Sequence, residues 1–117
     1  MIFYAKDRTA SVREKVWDGE GEVHGLNAIS ANSRPENSCV QMIAENTLPK
    51  GASIGFHIHH ENEEIYIVTK GQALFIDNDK QEYILNPGDS TLTRRGEGHA
   101  IAQHGDEPMT FLAVIAA

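Results

Sequence analysis

Short runs of alternating apolar and polar residues, separated by turn formers, fill most of this chain. Val40, Met42 and Ala44 take one face of a strand, while Gln41, Ile43 and Glu45 take the other. Pro49 ends that strand because proline cannot donate to a ladder. In the next run, Ser53, Gly55, His57 and His59 are expected on one face and Ile54, Phe56 and Ile58 on the other. Strands then follow over Glu64–Thr69, Gln72–Asp77, Glu82–Leu85, Ser90–Thr93, His99–Gln103 and Met109–Ala116. Between them stand turn signals such as Asn78-Asp79-Lys80, Pro87-Gly88-Asp89, Gly96-Glu97-Gly98 and Gly105–Pro108. No segment sustains a helical apolar period, so the chain reads as all-β, a sandwich or barrel.

Residues 1–45 carry a weaker pattern. Ile2-Phe3-Tyr4 is a short apolar patch, expected to form an N-terminal strand. Val12 and Val16 suit a short turn or an edge strand, and Trp17 precedes a Gly-rich acidic turn, Asp18–Glu22. Val23–Ala31 is a weak strand, and Asn32–Ser38 is a loop rich in turn formers.

Length and charge narrow the function classes. A chain of 117 residues suits one compact domain. A formal charge of −7 argues against nucleic acid and against an anionic membrane surface, both of which attract basic faces. With Cys39 as the lone cysteine, no intramolecular disulfide can form. The N-terminus lacks the basic start and apolar core of a signal peptide, and no apolar run reaches the ~18 residues of a membrane span. A cytoplasmic location is the expectation.

Chemistry concentrates between Gly51 and Gly71. Three histidines and three glutamates crowd residues 57–64. His57 and His59, two apart on a strand, point to one side with Cα atoms about 6.5 to 7 Å apart. That spacing lets two imidazoles converge on one ion. Glu64 follows a turn and can return beside them with an oxygen. His99 starts a later strand and would complete a set of three nitrogens and one oxygen if that strand lies alongside. His60 has the opposite parity, and Glu61 and Glu63 are read as solvated turn charges.

These residues resemble the two sequence motifs of the cupin superfamily. The first motif falls on Gly51, His57, His59, Glu64 and Gly71. The second falls on Gly88, Arg94, Gly96, His99 and Gln103, with arginine where proline is usual and glutamine where asparagine is usual. The resemblance implies a double-stranded β-helix, a small jelly-roll barrel, formed by one cupin domain over residues 1–117. The strands of residues 1–45 would join the barrel and a dimer interface. It also implies His57, His59, Glu64 and His99 as ligands of one divalent transition metal: manganese, iron, nickel, cobalt or zinc. A homodimer is the implied assembly, with Ile2–Tyr4 crossing to the partner.

Parity suggests what else lines a pocket. Gly55 would leave space beside the metal. Tyr66 shares the Glu64 face and is either a polar contact for a ligand or a core aromatic. Gln103 shares the His99 face and could orient a histidine. Arg94 either points inward to hold a carboxylate or outward as a surface cation. Tyr66 and Arg94 are thus the candidate catalytic residues. Two functions fit. One is a metal-dependent enzyme acting on a small oxygen-rich carboxylate or sugar-like substrate, by dioxygenase, isomerase or decarboxylase chemistry. The other is a non-catalytic small-molecule-binding module. Fold alone does not choose between them.

Overall fold

From Val40 onward the chain passes back and forth between two antiparallel sheets. The computed structural model describes residues 1–117. Its strands are β1 (Thr9–Glu14), β2 (Glu22–Ile29), β3 (Val40–Leu48), β4 (Ser53–Ile58), β5 (Glu63–Lys70), β6 (Gln72–Ile76), β7 (Glu82–Leu85), β8 (Ser90–Thr93), β9 (Gly98–His104) and β10 (Met109–Ala116). One sheet has six strands in the order β1-β2-β3-β10-β5-β8, and the other has four in the order β4-β9-β6-β7. Because successive turns of chain fall on opposite sheets, the architecture is the expected double-stranded β-helix. No helix is long and apolar enough to cross a membrane.

Alternation places the core between the sheets. Val23, Leu48, Tyr66, Val68, Met109, Phe111 and Ala113 face inward from the larger sheet. Ile54, Ala73, Phe75 and Ile101 meet them from the smaller one. Tyr66 packs its ring against Phe111 at 4.7 Å between centroids and against Phe75 at 6.3 Å, both edge-on.

Two expectations about local structure are corrected. Ile2–Tyr4 is not a strand; pairing begins at Thr9, and Ile2 is 75 % exposed. The apolar triplet has no facing strand within the chain to bury it, so nothing drives it into a ladder. The second correction concerns β4. Ile54 pairs with Ile101 but His57 pairs with His99, so β4 carries one more residue than β9 over the same interval. This is a β-bulge, and it resets the side-chain alternation. Ile54 and His57 therefore both turn inward, and Ser53 does not share the His57 face. Ser53 instead accepts a hydrogen bond from the Glu20 amide at its Oγ, 2.9 Å away.

Gly55 lies within the bulge. The space over its Cα is filled by the 3-10 turn Val16–Asp18, and a Cβ at Gly55 would run into the Trp17 carbonyl oxygen. The glycine thus serves close backbone approach rather than room beside a metal. Lys15, Trp17 and Asp18 in this turn have φ of 48°, 51° and 60°, left-handed values that side chains disfavour. The turn holds that shape because the Ser53 amide donates to Glu20 O at 2.8 Å and the Lys15 amide donates to Gly21 O at 2.9 Å.

Candidate metal centre

Three strands and one bend deliver the cluster. His57 is the last residue but one of β4 and sits directly opposite His99 in β9. Glu64 is the second residue of β5, opposite Thr93 in β8. His59 lies just past β4, where the alternation would lapse without support. Two backbone bonds supply it: the His59 amide donates to Glu97 O at 2.9 Å, and the Gly96 amide donates to His59 O at 2.6 Å. His57, His59, Glu64 and His99 each offer one ligand atom, and those atoms all lie within 4.8 Å of one another. The four sequence-predicted ligand candidates are thus brought together. They are 9 %, 8 %, 5 % and 0 % exposed, respectively, far below what unpaired histidine and glutamate side chains tolerate.

The hydrogen-bond pattern sets the electronic character of the cluster. His57 Nδ1 lies 2.8 Å from Gly55 O, a carbonyl that can only accept, so the proton must be on Nδ1. His59 Nδ1 donates to Asn62 Oδ1 at 2.6 Å, and the Asn62 amide is oriented by donating to Gln41 Oε1 at 3.2 Å. His99 Nδ1 pairs with Thr93 Oγ1 at 2.7 Å. With Nδ1 protonated, each ring turns an Nε2 lone pair toward the centre. His59 Nε2 and His99 Nε2 face each other at 3.2 Å, and Glu64 Oε1 is 3.1 Å from both. Lone pairs and a carboxylate oxygen at such distances repel unless a cation lies among them. Imidazole nitrogen plus carboxylate is a donor set for a divalent transition metal, so the residues fit that group.

Electrostatics agree. Burial pushes the Glu64 carboxyl up, but when a proton in place of a cation sits on Nε2 of His59 or His99, its hydrogen bond to the carboxylate outweighs burial and holds the group lowered to about 2. The hydrogen bond to Glu64 raises the His59 pKa against the opposing effect of burial. Burial lowers His57, with the neighbouring histidines adding to it. Glu64 therefore stays anionic, the charge a cation needs.

Above the cluster opens a cavity of about 410 Å³. His57, His59, Glu64 and Tyr66 line it, with Trp17 and Ile58 nearby. The Trp17 indole lies over the His57 ring, 5.0 Å between centroids and 7° from parallel. Tyr66 is 3 % exposed and stacks on His99 at 4.7 Å and 15°. Its ring is core packing, and burial, then the Glu64 charge, pushes its phenol well above the ordinary value.

Arg94 does not enter this cavity. Its side chain is 70 % exposed and forks onto Glu97, Nε to Oε1 at 3.1 Å and Nη2 to Oε2 at 2.9 Å. The Arg94 amide also donates to Glu97 Oε1 at 2.9 Å, so the carboxylate clamps the tight turn and draws the arginine outward. Gln103 likewise does not orient His99. Its Oε1 accepts from the Gly51 amide at 3.0 Å, and its Nε2 donates to Gly105 O and Glu107 O at 2.7 and 2.8 Å. Gln103 ties two turns together, and Thr93 supports His99 instead. His60 lines the cavity rather than facing away, because β4 ends at Ile58 and strand parity no longer applies; the exposed Glu61 stands beside it at the rim.

Arg13 and Asn46 also line the cavity, and sequence reasoning missed both. They come from β1 and β3. The signal for Asn46 was available: a polar residue on the same strand face as Met42 and Ala44.

The family model for the cupin domain matches residues 44–115. Over 115 residues the chain is 35% identical to an oxalate-binding protein of Thermotoga maritima, covering 98% of this chain and 93% of that protein. A crystal structure of a predicted oxalate decarboxylase from Thermotoga maritima superposes with a TM-score of 0.87 at 30% identity, covering 99% of this chain and 98% of that one. At 13% identity, KdgF from Halomonas sp. shares the fold alone, with a TM-score of 0.74 over 100% of this chain and 95% of that one. The motif positions, the two-sheet winding and these matches together establish that the chain belongs to the cupin family.

Proposed function

We propose that this protein binds one divalent transition metal through His57, His59, Glu64 and His99 and acts on a small carboxylate of the oxalate type. The observation that carries the reading is the convergence of these four ligand atoms within 4.8 Å, with His57, His59 and Glu64 lining an open cavity and His99 buried behind them. A bound metal would supply a Lewis-acid or redox centre for a carboxylate oxygen. The chain's own contribution is orientation. Gly55 O, Asn62 and Thr93 fix the three rings, and Glu64 reduces the net charge. Trp17, Ile54 and Met42 give the cavity an apolar wall that limits water.

Similarity to a protein named for oxalate binding favours the second reading, a module that holds its carboxylate without turning it over. Natively purified protein decides. Metal content by elemental analysis should approach one ion per chain, and oxalate should bind only to the loaded form. Conversion of oxalate to formate and carbon dioxide would select the enzyme, and binding without conversion the module. Metal-free protein after supplementation, or unaltered metal content in His57→Ala/His59→Ala, would sink both.

On this reading residues 1–117 form one unit, with β1 to β3 completing the barrel wall. The location is cytoplasmic, and the assembly is a homodimer supported by exposed Ile2, Phe3, Tyr4 and the outward pair Ile65 and Leu92. A monomer mass by light scattering would refute the dimer.

A further inference from the structure

The cavity has a second polar region that the metal cluster does not use. In β1, Arg13 pairs in register with Val23, a wholly buried residue, so Arg13 starts from the inner face of the larger sheet. It is the one lysine or arginine lining the cavity. Arg8 and Arg94 are tied to Glu45 and Glu97, whereas Arg13 has no such ion pair. In a protein of net charge −7, an unpaired guanidinium beside a ligand cavity stands out from the acidic background.

Asn46 supplies an independent observation. It is 4 % exposed, lines the same cavity, and its Oδ1 has no hydrogen-bond partner. Buried side-chain amides almost always find partners. Asn46 sits in register between Gly25 and Phe111. Gly25 leaves a side-chain place vacant, and Ser11 Oγ, Asn46 Oδ1 and Asn27 Oδ1 lie 2.8, 3.1 and 3.4 Å from where its Cβ would be. Three oxygens thus gather on a face otherwise built from Val23, Leu48 and Phe111. An amide can donate to a carboxylate through Nδ2 and accept from a hydroxyl or water through Oδ1.

The spacing separates this region from the metal ligands. In the larger sheet, β10 lies between β3 and β5, and β2 lies between β1 and β3. Through Phe111 of β10, Asn46 is level with Val68 and not with Glu64, so it stands two strand spacings across the sheet and four residues, roughly 13 Å, along it from Glu64, and Arg13 begins farther still; the side chains of all three reach the same cavity. An oxalate held at the cluster is too short to cover that span.

We propose that Arg13 and Asn46 form a subsite for the far carboxylate of a dicarboxylate longer than oxalate, whose near end sits at the His57–His59–Glu64–His99 cluster. The inference rests on the reading that this cluster holds a metal and takes a carboxylate. Arg13 meets the far group as a planar fork, and Asn46 sets its orientation. The ligand's middle lies against Met42 and Ile54.

The test uses the full chain loaded with Mn²⁺ and measures binding by calorimetry. The probes are oxalate, 2-oxoglutarate and the monocarboxylate 2-oxopentanoate. In the unaltered protein, 2-oxoglutarate should bind about 10- to 100-fold tighter than 2-oxopentanoate, the range expected for a charge-assisted contact. Arg13→Gln should erase that difference and leave oxalate affinity within about twofold. Arg13 is exposed on an edge strand, so this variant should fold; Asn46→Ser, which keeps a polar group, should weaken 2-oxoglutarate in the same direction. If oxalate binds in a metal-dependent way but 2-oxoglutarate shows no advantage, or keeps it in Arg13→Gln, the subsite is wrong and the metal reading stands. If neither metal nor oxalate is held, the metal reading falls and takes the subsite with it.

Discussion

Thr93 Oγ1 lies 2.7 Å from His99 Nδ1, and neither residue has any exposed surface. The pair joins the end of β8 to the start of β9 across the turn that Glu97 clamps. Thr93→Val keeps the shape of the side chain and removes the hydroxyl. The His99 ring nitrogen is then buried without a partner, at a cost of about 1–3 kcal/mol. Metal affinity should fall about 10- to 100-fold, as for other residues that orient a ligating histidine. A competition titration against a coloured chelator measures the affinity, and thermal melting of the metal-free protein measures the stability. Unchanged affinity alongside lowered stability would reduce Thr93 to a packing role.

Removing the metal should soften the fold. The metal-free cluster leaves facing lone pairs at 3.2 Å, which a bound cation relieves. At metal concentrations about 100 times Kd, binding adds about 2.7 kcal/mol to stability. For a chain of this size that is roughly 10 °C in melting temperature. Scanning calorimetry with and without a chelator should show the difference, and Glu64→Gln should greatly diminish it. Coincident melting curves for loaded and chelated protein would contradict the assignment.

Trp17 is the sole tryptophan and lies face to face with His57 at 5.0 Å. Its emission should therefore report the cluster directly. Stoichiometric Co²⁺ should quench it strongly, while Trp17→Phe should bind the ion without the signal. Gly55→Ala should push the Trp17 carbonyl off β4, shift emission to the red and lower stability by about 1–3 kcal/mol, as overpacking does. An emission spectrum indifferent to Co²⁺ in protein shown to be loaded would mean the stack is not adjacent to the ion.

Arg94 acts on its turn and not on a ligand. Its hydrogen bonds hold the Glu97 carboxyl down to about 2. A depressed carboxylate pKa contributes stability that is present above the ordinary value near 4.5 and is lost as pH falls through about 2. Carbon-detected NMR should place the Glu97 titration near that lower value and return it toward the ordinary one in Arg94→Ala. The same variant should bind oxalate and 2-oxoglutarate as the unaltered chain does. A marked loss of dicarboxylate affinity in Arg94→Ala would return the arginine to the cavity.

The strands from β3 to β10 could be read from the sequence because glycine, proline and asparagine punctuate them, and the metal candidates because histidines two apart share a side. Arg94 could not be placed, since either direction satisfies strand alternation and only Glu97, three residues later, decides it. The bulge in β4 was hidden for a related reason. An added residue leaves the local pattern intact and shows only against β9, so Ile54 was assigned to the wrong face. Arg13 escaped notice because β1 is weakly patterned, and Asn46 because a polar residue on an inner face looks like a solvated one until its neighbours are known.

The partners of the three Nδ1 atoms differ in kind: a carbonyl, an amide and a hydroxyl. Asn62 and Thr93 can be lost in one codon change, so the tautomers of His59 and His99 are open to drift. His57 answers to the main-chain carbonyl of Gly55, which no side chain supplies. One ring of the cluster is therefore insulated from mutation of its partner's side chain, and selection on the centre's chemistry has two adjustable supports and one that is inherited with the backbone.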